Sequence, residues 1–123
     1  MALVSVNNIA VRGISCCVPQ NVERNMDLTF ISPEEIQRFI DGTGVHERRV
    51  AGDEVCTSDL GVKAAEELLD ELGWNRDSVE ILVFVSQTAD YVLPVTSAIL
   101  QDRLGFSTKC MAFDIPLGCS GYV

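Results

Sequence analysis

Cys119 is the residue whose surroundings in this sequence are best suited to nucleophilic chemistry. It stands in the segment DIPLGCSGY, a few residues after an apolar run typical of a buried strand, where an α/β protein turns the chain into its next helix. The free N–H groups at a helix N-terminus favour thiolate over thiol, and Gly118 and Gly121 carry no side chain that would block a thioester. This setting predicts an acyl-accepting cysteine. The spacing alone also fits a small buried cysteine that merely closes the strand.

Composition and charge narrow the class of protein. The chain has 123 residues, 47% of them apolar, which is enough to bury the core of one ordinary domain. A net charge of −9 repels phosphate backbones and argues against a nucleic acid partner. Five cysteines without a CxxC pair and a single histidine do not form a zinc motif, so we expect no metal, and free thiols in a reducing compartment. The N-terminus has no basic leader and no stretch is long enough to cross a bilayer, which predicts a cytoplasmic protein without membrane contact.

Three apolar runs are predicted to be strands. The first spans Ala2 to Ile14, the second Ile81 to Ser86, and the third Cys110 to Ile115. The second run is continuously apolar rather than alternating, as expected when helices cover both faces of a parallel sheet. A helix that follows Pro94 and ends at Gly105 lies between the second and third runs. A strand, helix and strand in this order imply a right-handed parallel crossover.

Two further helices carry start and stop signals. Ser32-Pro33 supplies a capping hydroxyl and a proline at the first helical position, and this helix is predicted to end near Asp41-Gly42. Thr57-Ser58 supplies the cap of a longer helix with one apolar stripe, and Gly73 stands where a left-handed helix terminus is expected. The polar residues 43 to 51 between the two helices predict a loop or a short extended piece. No repeat or linker interrupts the sequence, so we expect one α/β unit.

Three segments of the chain carry a resemblance to a known family. They are GCSGY at Gly118 to Tyr122, with an aspartate in the strand before it, TGVHERR at Thr43 to Arg49, and the proline-led helix from Pro94 to Gly105. In order and spacing they resemble the ACSGF-like box, the TGI-x-ER segment and a matching helix of the type III β-ketoacyl-acyl carrier protein synthases, within the thiolase superfamily. The resemblance implies an α/β, thiolase-like fold. Residues 1–123 would be part of its N-terminal half, with parallel strands one to three, covering helices and an end just after the nucleophile.

The resemblance also implies a reaction and its partners. The family loads an acyl group from coenzyme A onto the cysteine, here Cys119, and malonyl-acyl carrier protein then decarboxylates to a carbanion that attacks the thioester, in fatty acid or related biosynthesis. Acyl-coenzyme A and malonyl-acyl carrier protein are substrates, and no resident cofactor is implied. The histidine and asparagine that assist decarboxylation are expected outside residues 1–123, so we expect these residues alone to be inactive. A homodimer is implied in which Lys109 to Asp114 pairs antiparallel with its copy across a two-fold axis.

Four residues are substrate-binding candidates by the same resemblance. Gly118 and Gly121 flank the nucleophile, and Leu93 matches a position where many members carry an aromatic residue that closes the partner's acyl tunnel. Leucine is smaller, which predicts a tunnel for chains longer than acetyl. Arg38 and Gly42 stand where the family often has the tryptophan and arginine that hold the adenine of coenzyme A. An arginine can still stack on a purine, so both coenzyme A and a carrier protein stay open as acyl donors.

Two other functions stay open at this point. One is a related acyltransferase or condensing enzyme of the thiolase superfamily that uses the same cysteine, and the other is a non-catalytic dimerising subunit. The intact cysteine and its flanking glycines argue against the subunit. His46 is interpreted as a surface residue, and Arg48 and Arg49 as partners in solvated ion pairs. The remaining cysteines, predicted to lie in strands or loops rather than at a helix start, are interpreted as structural: Cys16, Cys17, Cys56 and Cys110.

Overall fold

Two small sheets and three α-helices make up the part of the chain that the computed structural model describes, residues 5–122. The strands are β1 (Asn21–Arg24), β2 (Glu47–Val50), β3 (Ile81–Val85) and β4 (Met111–Ile115). The helices are α1 (Pro33–Thr43), α2 (Thr57–Leu72) and α3 (Thr96–Arg103). Short 3-10 turns lie at Asn25–Asp27, Arg76–Ser78 and Cys119–Tyr122. β1 pairs antiparallel with β2, and β3 pairs parallel with β4.

α1 begins where the sequence predicts, through a reciprocal pair of capping bonds. The Ser32 hydroxyl accepts from the Glu35 amide at 3.3 Å, and the Glu35 carboxylate accepts from the Ser32 amide at 3.3 Å. The helix runs past its predicted end to Thr43. It stops there because Gly44 takes the left-handed conformation, with φ at 72°, and donates its N–H to the Ile40 carbonyl at 2.7 Å.

β2 lies in the segment predicted to be a loop or a short extended piece, and it is extended because it pairs with β1. The buried Asn25 holds this antiparallel pair together. It donates from Nδ2 to the Val45 carbonyl at 2.8 Å and from its backbone amide to the His46 carbonyl at 2.9 Å. His46 itself is exposed, as predicted. Arg48 forms an ion pair with Glu23 at 2.6 Å, and both side chains are about half exposed. The predicted solvated ion pair is therefore confirmed for Arg48, and pairs of this kind contribute about 0–1 kcal/mol.

The N-cap of α2 lies one position before the predicted cap. Its N-cap is Cys56 rather than Thr57 or Ser58, because the Asp59 carboxylate accepts the Cys56 amide at 2.8 Å and fixes the turn there. The helix ends as predicted at Gly73, with φ at 62°. The residue that caps this 16-residue helix is thus an exposed cysteine.

The core lies on one side of the parallel strand pair. Its buried centre is formed by Val62 of α2 with Leu100 and Leu104 of the α3 region, and Leu82 and Phe84 of β3 pack against it. α3 connects β3 to β4, so the predicted parallel crossover is confirmed. The opposite face of the pair keeps 40–59% exposure at five apolar side chains, which are Ile81, Val83, Val85, Met111 and Phe113. The prediction that helices cover both faces holds for one face within residues 5–122.

The prediction of a first strand is wrong for residues 5–14, which do not form a strand. Residues 2–4 of the predicted strand lie outside the described part of the chain. The parallel sheet therefore holds two of the three expected strands within the described residues. A strand needs a neighbour for its backbone hydrogen bonds, and the described part places none beside this segment. Gly13 at the end of this segment lies against α2, where an added Cβ would meet Leu68 Cδ1 at 2.7 Å.

Candidate active site

Cys119 is exposed and opens the 3-10 turn that follows β4. The chain leaves the strand through a tight bend, in which the Leu117 amide donates to the Ile115 carbonyl at 2.8 Å. The turn is closed by the Gly121 amide, which donates to the Gly118 carbonyl at 2.9 Å. Because β3 and β4 are parallel, the residues that follow them lie at the same end of the sheet, where the carboxyl termini of the strands are. The Cys119 turn and the β3–α3 loop (residues 86–95) therefore both begin at this end of the sheet.

The space for a side chain at the two flanking glycines is limited by Val85 of β3 and by Gln87. A Cβ at Gly121 would lie 2.4 Å from Val85 Cγ1, so only glycine lets the Cys119 turn rest on the end of β3. A Cβ at Gly118 would lie 3.0 Å from the side-chain amide of Gln87, a flexible and exposed group. The expectation that these glycines leave room for a thioester stays a prediction. What the structure adds is that Gly121 is required for the position of the turn.

Asp114 of β4 connects the sheet to α3 through hydrogen bonds. Its carboxylate accepts the Thr96 amide at 2.9 Å and the Ser97 amide at 2.7 Å, which are the first two amides of the helix. Burial raises the pKa of the Asp114 carboxyl, but the hydrogen bonds from Ser97 and Thr96 outweigh burial and hold the pKa below its ordinary value. Asp114 is therefore ionised near neutral pH and complements the positive end of α3.

Leu93 lies in the β3–α3 loop, and its expected role at a partner's acyl tunnel stays a prediction. Its side chain is 80% exposed, and the adjacent Tyr91 and Val92 are also exposed. Arg38 lies elsewhere, on α1, where it lines a shallow surface pocket. The other residues lining that pocket are Met26, Pro33, Glu34, Gln37 and Asp41, and none belongs to the Cys119 turn or to the β3–α3 loop. Leu93 and Cys119 thus each follow one of the two parallel strands, whereas Arg38 belongs to a separate surface on α1.

Cys56 is a second exposed cysteine at a helix start, which the sequence reasoning missed. The expectation that Cys119 alone of the five occupies such a position is wrong, because Cys56 caps α2. Hydrogen bonds from the Cys56 amide and from Arg103 hold the pKa of Asp59 below its ordinary value, so that carboxylate is ionised. All five cysteines are free thiols, and Cys110 is buried.

Three polar residues that hold the β3–α3 loop were also missed: Ser58, Asp90 and Thr96. Ser58 and Thr96 are buried although they stand in first helical turns, where hydroxyl residues are ordinarily explained as caps. Sequence offered no signal for their partners, since Ser58 and Asp90 are separated by 32 positions. Within residues 5–122 no group of three or more His, Cys, Asp or Glu side chains is arranged to hold a metal ion. No helix in the same part of the chain is long and apolar enough to span a membrane.

The known proteins that this chain resembles, in sequence and in structure, include synthases of one kind. No family model matches the chain. The β-ketoacyl-[acyl-carrier-protein] synthase III of Sulfurovum sp. is 34% identical over 113 residues, covering 91% of this chain and 33% of that protein. The crystal structure of a 3-oxoacyl-(acyl-carrier protein) synthase from Burkholderia xenovorans LB400 superposes with a TM-score of 0.81 at 39% identity, covering 89% of this chain and 32% of the other. A crystal structure of a 3-oxoacyl-(acyl-carrier-protein) synthase III superposes with a TM-score of 0.82 at 35% identity, covering 92% and 34%.

These likenesses define the fold as part of the α/β thiolase-like fold, as the sequence predicts. The chain spans about a third of the length of the curated relatives it matches. More narrowly, it matches the N-terminal portion of the type III β-ketoacyl-acyl carrier protein synthases, and the resemblance found in its sequence is thereby confirmed.

Proposed function

We propose that the full-length protein is a β-ketoacyl-acyl carrier protein synthase III, or a closely related condensing enzyme, with Cys119 as its nucleophile. The observation that carries the proposal is the place of Cys119, an exposed thiol that opens a helical turn at the edge where the two parallel strands end. The match to synthases of this name over nine-tenths of the chain supports it. Cys110 is buried, and Cys56 lies at the N-cap of α2 rather than after a strand of the parallel sheet.

The first step of the proposed reaction is acyl transfer to sulfur. The Cys119 thiolate attacks the carbonyl carbon of an acyl thioester, a new carbon–sulfur bond forms, and the donor's carbon–sulfur bond breaks to release the donor thiolate, which takes up a proton. Amides at the start of a helical turn are suited to stabilise the negative charge that develops on the carbonyl oxygen. The donor is acyl-coenzyme A or an acyl carrier protein thioester.

The second step forms a carbon–carbon bond. Malonyl-acyl carrier protein loses CO₂, and the electron pair of the broken bond becomes a carbanion that attacks the acyl carbonyl on Cys119. The tetrahedral adduct expels the Cys119 thiolate and leaves a β-ketoacyl thioester on the carrier protein. His46, exposed beside β2, has no part in this proposal.

A homodimer built on β4 is part of the proposal, and the direction of the backbone groups supports it. The Met111 amide donates to Glu80 and the Ile115 carbonyl accepts from Ser86, so these alternate residues face β3. Ala112 and Asp114 alternate with the residues that face β3, so their backbone groups face the other edge of β4. The amide of Ala112 is therefore directed at the edge where a second copy would add its strand. The acyl carrier protein is the proposed protein partner, and the cytoplasm the proposed compartment.

Intact-mass spectrometry of the full-length protein tests the nucleophile. We expect incubation with an acyl-coenzyme A or acyl-carrier-protein thioester to add one acyl mass, which Cys119→Ala abolishes and the matched control Cys56→Ala leaves in place. Addition of malonyl-acyl carrier protein should then remove the adduct and release CO₂. An adduct that survives in Cys119→Ala would contradict the assignment. An adduct at Cys119 that malonyl-acyl carrier protein does not discharge would indicate a related acyltransferase instead.

A further inference from the structure

Gln87, the second residue after β3, lies against the residue that precedes Cys119. A Cβ added at Gly118 would lie 3.0 Å from both Cδ and Nε2 of Gln87 and 3.1 Å from its Oε1. The side-chain amide therefore occupies the space that a side chain at Gly118 would take. Since successive Cα atoms are about 3.8 Å apart, the amide lies within about 9 Å of the Cα of Cys119.

The backbone next to Gln87 is held to the bend that leads to Cys119. One carbonyl, that of Ile115 in β4, accepts the Ser86 amide at 3.2 Å and the Leu117 amide at 2.8 Å. The residue before Gln87 and the residue two before Cys119 therefore share one hydrogen-bond acceptor. These backbone bonds fix where the Cα of Gln87 lies relative to the Cys119 turn.

The other side of Gln87 is held by a tight turn. The Thr88 amide donates to the Ser86 hydroxyl at 3.0 Å, and Thr88 Oγ1 lies 3.0 Å from Thr57 Oγ1 of α2. The side chain of Gln87 is exposed, and its amide makes no hydrogen bond to any of residues 5–122. A held backbone with an unused amide is suited to bind a group that approaches Cys119 from solvent.

The chemistry of a primary amide limits what Gln87 can do. The amide offers two N–H donors and one acceptor oxygen, and it does not ionise near neutral pH. Gln87 is therefore unsuited to move a proton as a general acid or base. It can donate a hydrogen bond from Nε2 to a carbonyl oxygen, and such a bond strengthens when negative charge develops on that oxygen. During attack by the Cys119 thiolate, this charge develops on the carbonyl oxygen of the acyl thioester.

We infer that Gln87 is a substrate-binding residue that donates from Nε2 to the carbonyl oxygen of the acyl thioester as it reacts with Cys119. This inference rests on the proposed function. Coenzyme A and carrier-protein donors also carry amide carbonyls in the arm that ends in sulfur. Only the thioester carbonyl must lie at the Cys119 sulfur for the reaction to occur, so the thioester carbonyl is the ligand assigned to Gln87.

Three variants of the full-length protein test this contact. Gln87→Met keeps the length of the side chain but has no N–H donor, and Gln87→Glu keeps its shape but is an ionised acceptor at neutral pH. Gln20→Met is the matched control, because Gln20 is also exposed and its side chain makes no hydrogen bond to the described residues. Since both glutamines are exposed, we expect all three variants to fold.

The rate of Cys119 acylation is followed by intact-mass spectrometry with two donors, an acyl-coenzyme A and the acyl thioester of 2-mercaptoethanol, which contains no amide. The reactivity of the thiol itself is measured with 2,2′-dipyridyl disulfide, a reagent without an oxygen atom, by peptide mapping of Cys119. We expect Gln87→Met and Gln87→Glu to slow acylation by both donors about tenfold, less than the roughly hundredfold loss typical of a preorganised donor in a water-excluded site. The disulfide reaction should not change in Gln87→Met, and Gln20→Met should match the parent in every rate.

Acylation of either Gln87 variant at the parent rate would overturn the inference. Equal losses toward the thioesters and the disulfide in Gln87→Met would also overturn it, because Gln87 would then support the Cys119 turn rather than bind the carbonyl. A loss limited to acyl-coenzyme A would reject it too, since the contact would then be with the donor arm. If the parent protein is not acylated at Cys119, the proposed function fails and the inference fails with it, whereas an acylated parent with unaffected variants rejects the inference alone.

Discussion

The contact between Gly121 and β3 gives the sharpest test of how the Cys119 turn is positioned. In Gly121→Ala the new Cβ would lie 2.4 Å from Val85 Cγ1, whereas carbon atoms in contact ordinarily lie about 3.5–4.0 Å apart. The turn or the strand must move by more than 1 Å, and overpacking of this kind costs about 1–3 kcal/mol. We therefore expect the free energy of unfolding to fall by that amount and Cys119 alkylation to change with it.

The assay is urea unfolding of the full-length protein with a matched control and a compensating change. Gly118→Ala meets only the exposed side chain of Gln87, which can swing away, so we expect less than about 0.5 kcal/mol of change. Val85→Ala removes the methyl group that causes the clash, and in the double variant with Gly121→Ala most of the loss should be recovered. If Gly121→Ala were no more destabilising than Gly118→Ala, or if Val85→Ala gave no recovery, the packing explanation would be wrong.

Three further predictions concern single residues. The pKa of Asp114 in the folded protein lies below its unfolded value of about 3.9. The contribution of Asp114 to the free energy of unfolding is therefore present above that pH and is lost as the pH falls through the folded-state pKa. In urea unfolding, Asp114→Asn should not show this loss of stability at low pH. Cys119 should alkylate faster than Cys56 in peptide mapping of the folded protein, and the reverse order would reject the activated thiol. Ala112→Pro should prevent the proposed homodimer on size-exclusion chromatography while Ala112→Gly, which keeps the amide, does not; a dimeric proline variant would refute the β4 edge as the interface.

The elements with local signals were predictable from the sequence. Ser32-Pro33 and Gly73 specify a helix start and a helix end through bonds within one turn, and both lie where expected. The run that forms β3 is equally clear, because a short apolar segment between a helix end and a proline has few alternatives. The place of Cys119 just after β4 was predictable for the same reason, since the strand, the glycines and the thiol are contiguous.

What the sequence did not predict depends on partners distant in the chain. β1 is polar and exposed, and only its pairing with β2, more than twenty residues later, makes it a strand. The first predicted strand has the composition of a strand but no hydrogen-bonding neighbour among residues 5–122. Asp90 belongs to the same group: its neighbours Ala89 and Tyr91 give no indication that it bonds to Ser58. Tertiary partners decide these cases, and one sequence does not identify them.

The β3–α3 loop combines three exposed apolar residues with neighbours that hydrogen bonds hold in place, and this division has an evolutionary consequence. Substitutions at Tyr91, Val92 or Leu93 remove little buried surface, and exposed positions of this kind ordinarily change stability by no more than about 0.5 kcal/mol. These three residues can vary in size and shape among descendants of this protein while Asp90 and Thr96 keep the rest of the loop in place. Successive changes at three adjacent codons would therefore each be tolerated by the fold. A library randomised at these three positions alone is the corresponding starting point for directed evolution.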